Sequence, residues 1–275
     1  MSAALLGIVT ALGDDELVVG HRHSEWTGFA PHIEEDVAFS SIAQDEIGHA
    51  SAYYALAAKL TDDGADRLAL GRDKDEYRHA ILCERPNGDW AFTLARHWLY
   101  DHADALRLEA MEETSEAELR GIVAKIRREE RYHLLHADIW MQRIAHGPVE
   151  GRRNLMDAVG RAFDDALGLF EPFEHEAEAV AEGILPVGSD GLRKRFLDQT
   201  SAELDRLGFP THMISTADTE FVASSSGDLL VEEEAGDAVE HQGGLGGRSG
   251  RHSDDWSPLW DDMTKTYREN PGARW

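Results

Sequence analysis

Two Glu-x-x-His pairs constrain this 275-residue chain more than any other feature. Glu46-Ile47-Gly48-His49 and Glu130-Arg131-Tyr132-His133 each place a carboxylate and an imidazole one helical turn apart on the same face. Both pairs fall in long segments of helical apolar periodicity. Each segment follows another long predicted helix that carries an acid: Glu25 in Ser24-Glu25-Trp26 and Asp101 in Leu99-Tyr100-Asp101-His102. One carboxylate from each of two helices, plus Glu-x-x-His from each of the other two, is the recipe by which a helical bundle holds two iron or manganese ions. The candidate metal ligands are therefore Glu25, Glu46, His49, Asp101, Glu130 and His133. No residue is assigned as catalytic or as binding an organic cofactor.

Spacing alone is weak evidence, because the chain has 27 Glu and 14 His, and random placement gives about 1.4 such pairs. Three occur. The third, Glu76-Tyr77-Arg78-His79, lies on a short segment without a partner acid helix and reads as a decoy outside the cluster. The bland alternative for the other two stays open: a bundle with a buried polar layer and no metal. His21, His23, His97, His102 and His136 read as surface groups or as groups behind the ligands, and Trp90, Trp98 and Trp140 as core aromatics.

The pattern predicts an all-α fold. Helices are expected over 2–28, 31–60 (with Pro31 in its first turn), 90–113 and 115–146, the last opened by a Ser115/Glu118 capping box. A short helical piece is expected over 73–83, a fifth long helix over 152–170 with a run toward 181, and a sixth over 191–207. Residues 1–210 form the helical domain. Residues 211–255 read as a flexible acidic and Gly-rich linker, with Ser224-Ser225-Ser226-Gly227 and Gly243-Gly244-Leu245-Gly246-Gly247. Residues 256–275 read as a tail whose Trp256, Trp260, Met263 and Tyr267 share a helical side. That tail is expected to help dock a partner chain, with folding back onto its own bundle as the alternative.

Composition narrows the function classes. The net charge is -26, and Lys supplies only five of the 27 basic residues. DNA, RNA and anionic lipid would be repelled. An acidic, Lys-poor surface suits a cytoplasm of molar salt, where screening falls to about 3 Å; an acidic face for a basic partner is the rival reading. One cysteine, Cys83, excludes an internal disulfide and a Cys-based metal site. No run of about 18 apolar residues suggests a membrane span, and Met1–Gly20 lacks the basic start of a secretory signal. A cytoplasmic protein is expected.

Several stretches resemble the C-type subunits of phenylacetyl-CoA epoxidases: Gly13-Asp14-Asp15-Glu16-Leu17-Val18, Ser24-Glu25-Trp26-Thr27-Gly28, Ala30-Pro31-His32-Ile33-Glu34-Glu35-Asp36-Val37-Ala38, Glu84-Arg85-Pro86-Asn87-Gly88-Asp89-Trp90 and Pro271-Gly272-Ala273-Arg274-Trp275. The match covers residues 1 to about 210 and the extreme C-terminus. The resemblance implies a ferritin-like four-helix bundle with additional C-terminal helices. It implies a structural subunit paired with a homologous, catalytic A-type subunit, with other epoxidase subunits and with an NADPH-fed reductase, in a complex that epoxidises the ring of phenylacetyl-CoA. Some members lack ligand residues at this pseudo-site; here all six candidate positions are present, so iron there is compatible with the pattern. A free-standing di-iron oxidase or oxygenase and a ferritin-like iron or manganese store are the competing readings.

Overall fold

The computed structural model describes residues 2–209, 245–271 and 273. Among these it contains ten α-helices and no strand: α1 Ala3–Ser24, α2 Ile33–Ala57, α3 Ala65–Leu70, α4 Ile81–Glu84, α5 Trp90–Met111, α6 Ala117–Ala145, α7 Val149–Leu167, α8 Glu176–Ala181, α9 Ser189–Arg206 and α10 Trp256–Glu269. The chain is an all-α, ferritin-like bundle. α1 packs along α2, α5 packs along α6, and α2 meets α6. α7 and α9 cover the outer side of α5. No helix among the described residues is long and apolar enough to cross a membrane.

α1 is buried along most of its length. Ser2 caps it, its hydroxyl accepting from the Leu5 N–H at 3.3 Å. Ile8, Val9, Leu12, Val18 and Val19 are buried, yet so are Asp14, Asp15 and Glu16. An acid buried in a helix of this kind requires a dedicated partner. Asp14 pairs with Arg72 and Tyr54. Asp15 takes Arg107 at 3.0 Å and Arg248 at 2.6 Å. Asp89 caps α5 by accepting from the Phe92 N–H at 2.8 Å.

Helix ends depart from the expected ones, in places because distant parts of the chain supply hydrogen-bond partners. α2 starts at Ile33 with extended His32 as its N-cap, so Pro31 lies before the helix rather than in its first turn. α6 starts after Glu116, and no Ser115 capping box forms. The Ser115 N–H donates instead to the Gly183 carbonyl at 2.8 Å, and Thr114 Oγ1 accepts from the Glu116 N–H at 3.3 Å. The piece expected over 73–83 is a 3-10 turn at Lys74–Glu76, an extended stretch and short α4. Its backbone is diverted by α1: the Arg78 N–H donates to Asp14 and the Ala80 N–H to Asp15. α7 starts directly after Pro148, and the stretch toward 181 is broken by a 3-10 turn at Gly168–Phe170 and by His175 at φ 59°.

The C-terminal segment corrects two expectations. Residues 245–255, expected in the linker, pack on the body, with Arg248 buried on Asp15. Residues 210–244, the rest of that stretch, lie outside the described residues. The tail folds back onto its own body, the course named as the alternative to docking a partner. In α10, Trp256, Leu259 and Met263 are buried at i, i+3, i+7 spacing against α3 and the Lys74–Glu76 turn. The Trp256 indole donates to the Lys74 carbonyl at 3.0 Å, and the Trp260 indole to the Arg72 carbonyl at 3.2 Å.

Candidate metal centre

The two Glu-x-x-His pairs face each other across the α2–α6 contact. Glu46, His49, Glu130 and His133 are all buried, and α1 adds buried Glu16. His49 Nδ1 lies 3.3 Å from Glu16 Oε2 and 3.3 Å from Glu130 Oε1. His133 Nδ1 lies 2.9 Å from Glu130 Oε1 and 3.8 Å from Glu46 Oε1. The donor atoms thus fall into two triads, Glu16/His49/Glu130 and Glu46/Glu130/His133, each within 4.8 Å, and Glu130 belongs to both. Asp101 of α5 adjoins the layer at its edge, 3.2 Å from His97 Nδ1.

Behind the imidazoles stand further carboxylates. His49 Nε2 lies 3.0 Å from Glu129 Oε2, and His133 Nε2 lies 3.3 Å from Asp45 Oδ2. In each pair the acid precedes a layer Glu by one residue in sequence. Such an outer carboxylate fixes the ring and leaves Nδ1 free to face the layer. Gly20 permits the approach of α1 to α2, since a Cβ there would sit 2.8 Å from Glu46 Cβ. His23, one turn further along α1, lies 3.7 Å from Glu46 Oε1 and edge-on to His97. His23 and His97 are therefore buried neighbours of the layer, not surface groups. His102 and His136 stand further out, on Asp138 and Glu35.

The electrostatics are those of a site with too many acids for its protons. Burial pushes the Glu46 carboxyl well above its ordinary range, helped by the charges of Glu16 and Glu130. Burial and Glu130 do the same to Asp101. Burial also opposes the charge on Glu130, but His133 and His49 outweigh it and hold that carboxyl low. Against their own burial, His49 is pulled up to about 11 by Glu130 and Glu16, and His133 up to about 9 by Glu130. Burial and His133 push His97 down to about 3, which keeps it neutral.

Both oxygens of Glu46, Asp101 and Glu130, and Nδ1 of His133, are buried without an aligned hydrogen-bond partner. Orphaned acceptors at this density are costly unless something cationic meets them. Four carboxylates (Glu16, Glu46, Asp101, Glu130) match two divalent cations in charge, and hard oxygens with one imidazole per ion suit iron or manganese. The donor set fits such a pair.

Five of the six expected ligand positions, Glu46, His49, Asp101, Glu130 and His133, are brought to this layer. Glu25 is not. It is the C-cap of α1, partly exposed, and its carboxylate accepts from Arg22 at 2.8 Å and from the Asn87 side chain at 2.9 Å. The α1 acid in the layer is Glu16. Nine residues separate the two, or two and a half turns and roughly 13 Å of rise, which places them on opposite faces of α1. A signal for Glu16 existed: acids embedded in an apolar helix, on the face that Gly20 and His23 continue at i+4 and i+7. Glu76 lies apart, its carboxylate accepting from the Asp73 N–H in a capping box. His79 belongs to another cluster, with Glu84 and His252.

Comparison with known proteins agrees with this architecture. Residues 1–219 match the model of a family described as phenylacetic acid catabolic protein. The chain is 29% identical over 265 residues to the C-type subunit of the 1,2-phenylacetyl-CoA epoxidase of Escherichia coli K12, covering 96% of each protein. It is 27% identical over 204 residues to the A-type subunit of that epoxidase, covering 68% of this chain and 65% of the relative. With the bundle, the paired Glu-x-x-His layer and a family match over most of its length, the chain belongs to the phenylacetic acid catabolic protein family.

Proposed function

We propose that this chain is the C-type component of a phenylacetyl-CoA epoxidase, working in a complex with a homologous A-type component and a reductase. The observation that carries this reading is the similarity to the C-type relative over 96% of both chains. An exposed apolar surface supports a partner. Phe29 just before α2, and Ile33 and Val37 on it, lie outward, as do Tyr132, Leu135 and Ile139 on α6. The residues of each set recur at i+3 or i+4 spacing, a stripe suited to another helical subunit. A stable subunit interface on that face buries on the order of 2,000 Å².

Glu16, His49 and Glu130 would hold one ion and Glu46, Glu130 and His133 the other, with Asp101 beside them. When bound, a pair of irons supplies the capacity to bind and reduce dioxygen. Without cations, His49 and His133 carry protons against Glu130, and Glu46 retains its own. With ions bound, Glu46, His49 and His133 would give up those protons, and their freed oxygen and nitrogen atoms would face the ions. Glu129 and Asp45 keep the rings oriented throughout.

One observation favours a second reading, in which the chain carries out its own oxygen chemistry. A cavity of about 210 Å³ between α5, α6 and α9 is lined by Glu130, Leu106, Arg127, Arg131 and Gln199, giving the layer an approach from outside. Co-purification from the native source, with iron measured on each separated component, separates the two. The C-type reading expects ring epoxidation only when the A-type component is present. Robust turnover of phenylacetyl-CoA by this chain with a reductase alone would overturn it.

A further inference from the structure

A second buried histidine–carboxylate cluster lies away from the bundle layer. His79 stands in the extended stretch before α4, Glu84 ends α4, and His252 precedes α10. His79 Nε2 and His252 Nδ1 approach the same oxygen, Glu84 Oε2, at 2.7 Å and 2.9 Å. The two imidazoles stack with centroids 4.2 Å apart and planes 19° from parallel. Glu84 Oε1 accepts from the Ser253 N–H at 2.6 Å.

The protons of this cluster do not balance when every ring is neutral. His252 Nε2 faces the Tyr77 carbonyl oxygen at 3.2 Å while its Nδ1 faces the carboxylate. Both ring nitrogens thus point at oxygen acceptors, and a neutral imidazole has one N–H to donate. A second proton on His252 would create an imidazolium stacked on His79, inside walls made by Tyr77 and Trp256. A divalent cation resolves the mismatch at His252 while leaving that ring neutral. It takes the lone pairs of His252 Nδ1 and His79 Nε2 and one oxygen of Glu84. The His252 Nε2–H then donates to the Tyr77 carbonyl, the outer contact that commonly orients a ligating histidine.

We propose that His79, Glu84 and His252 form a zinc site that clips the C-terminal segment to the body of the subunit. Two imidazoles and one carboxylate are a familiar donor set for zinc. Tetrahedral bonds of about 2.0–2.1 Å put ligand atoms roughly 3.3 Å apart, so the two histidine–Glu84 spacings need open by only about half an ångström, and all three ligand atoms already lie within 4.8 Å of one another. A cleft of about 760 Å³, lined by Arg85, Arg251, His252, Ser253, Asp254 and Asp255, reaches the site at His252 and would admit the ion and a fourth, water ligand from that side. The clip joins parts of the chain 168 residues apart. Next to it, Gly247 rests so closely on the His79 carbonyl that a Cβ would collide with it.

The test uses the full chain with the bundle layer disabled by Glu46→Ala and Glu130→Ala, stripped with a chelator and titrated with Zn²⁺ and Co²⁺. The expected result is one equivalent of metal retained after gel filtration, with Co²⁺ visible bands of four-coordinate intensity. Zn²⁺ should raise the melting temperature by several degrees and protect residues 245–271 from trypsin. His79→Gln and His252→Gln should each abolish all three effects, whereas His252→Cys should retain the metal. Should the layer-disabled chain fail to fold, wild type and H252Q are compared directly: loss of one equivalent of Zn²⁺ supports the site, and equal stoichiometry overturns it. Failure to retain Zn²⁺, or retention that survives H79Q/H252Q, likewise overturns it.

Discussion

Replacing Trp256 by Ala tests how the C-terminal helix is held. The indole is buried, packs edge-on against Tyr77 with centroids 5.1 Å apart, and lies 4.3 Å from the His79 ring. Its N–H also satisfies the Lys74 carbonyl at 3.0 Å. Truncating a buried Trp costs about 3–5 kcal/mol through lost transfer energy and the cavity left behind; the stranded carbonyl can rehydrate if α10 lifts away. Two outcomes fit that magnitude. If α10 stays docked, the whole loss falls on global stability and the melting temperature drops by roughly 6–10 °C, at about 2 °C per kcal/mol for a chain of this size. If α10 detaches, the global shift is smaller, but trypsin cleaves between residues 245 and 271 at least roughly tenfold faster, because an undocked helix exposes its backbone. Thermal melting and timed proteolysis of the isolated protein read both. Unchanged melting together with unchanged proteolysis would refute the packing argument and return the tail to a partner chain.

Further predictions concern the layer, pH and salt. Gly20→Ala forces a methyl against Glu46 Cβ and the Ala43 carbonyl and should cost about 1–3 kcal/mol, read by urea denaturation. Gly121→Ala, with nothing within 4 Å of the new Cβ, should instead gain about 0.5–1 kcal/mol, and equal effects at both positions would contradict the tight α1–α2 approach. Against its own burial, Asp138 is held below its ordinary 3.8 by His102 and the Trp98 indole. A depressed carboxyl stabilises the fold above its unfolded value and loses that contribution as pH falls through the folded one. Asp138→Asn should therefore lower the melting temperature at pH 7 and converge with wild type below about pH 3.8; a gap that widens in acid would reverse the assignment. With a net charge of -26, the melting temperature should rise between about 0.15 M and 2 M KCl as screening shortens to a few ångströms, and a flat response would remove salt adaptation as the reason for the charge.

The bundle was legible because helical periodicity is local. Apolar spacing over 31–60 and over 90–113 depends on residues within a few turns of each other. The Glu-x-x-His pairs were legible for the same reason, since spacing along one helix dictates which side chains share a face. Choosing the α1 acid was not a local question. Glu16 lies among apolar residues of α1 and Glu25 at its end; that placement is a local hint, but the crossing of α1 over α2, set by Gly20 against Glu46, is what brings Glu16 to the layer.

The C-terminal third shows the same division. Gly-rich composition around Leu245 reads as linker, and as a free peptide it would be mobile. In the folded chain, the buried carboxylate of Asp15 requires cations, and Arg248 supplies one from a segment far away in sequence. Trp256 and Met263 announce an amphipathic helix by their spacing, but spacing does not say which surface they cover. The sequence by itself determined the helices, the acidic surface and most of the acid–histidine layer. The tertiary structure decided that Glu16 replaces Glu25, that His79 leaves the decoy pair for Glu84 and His252, and that the tail packs on its own body. The physical reason is that buried charge and close helix approach are settled by partners that no local pattern brings together.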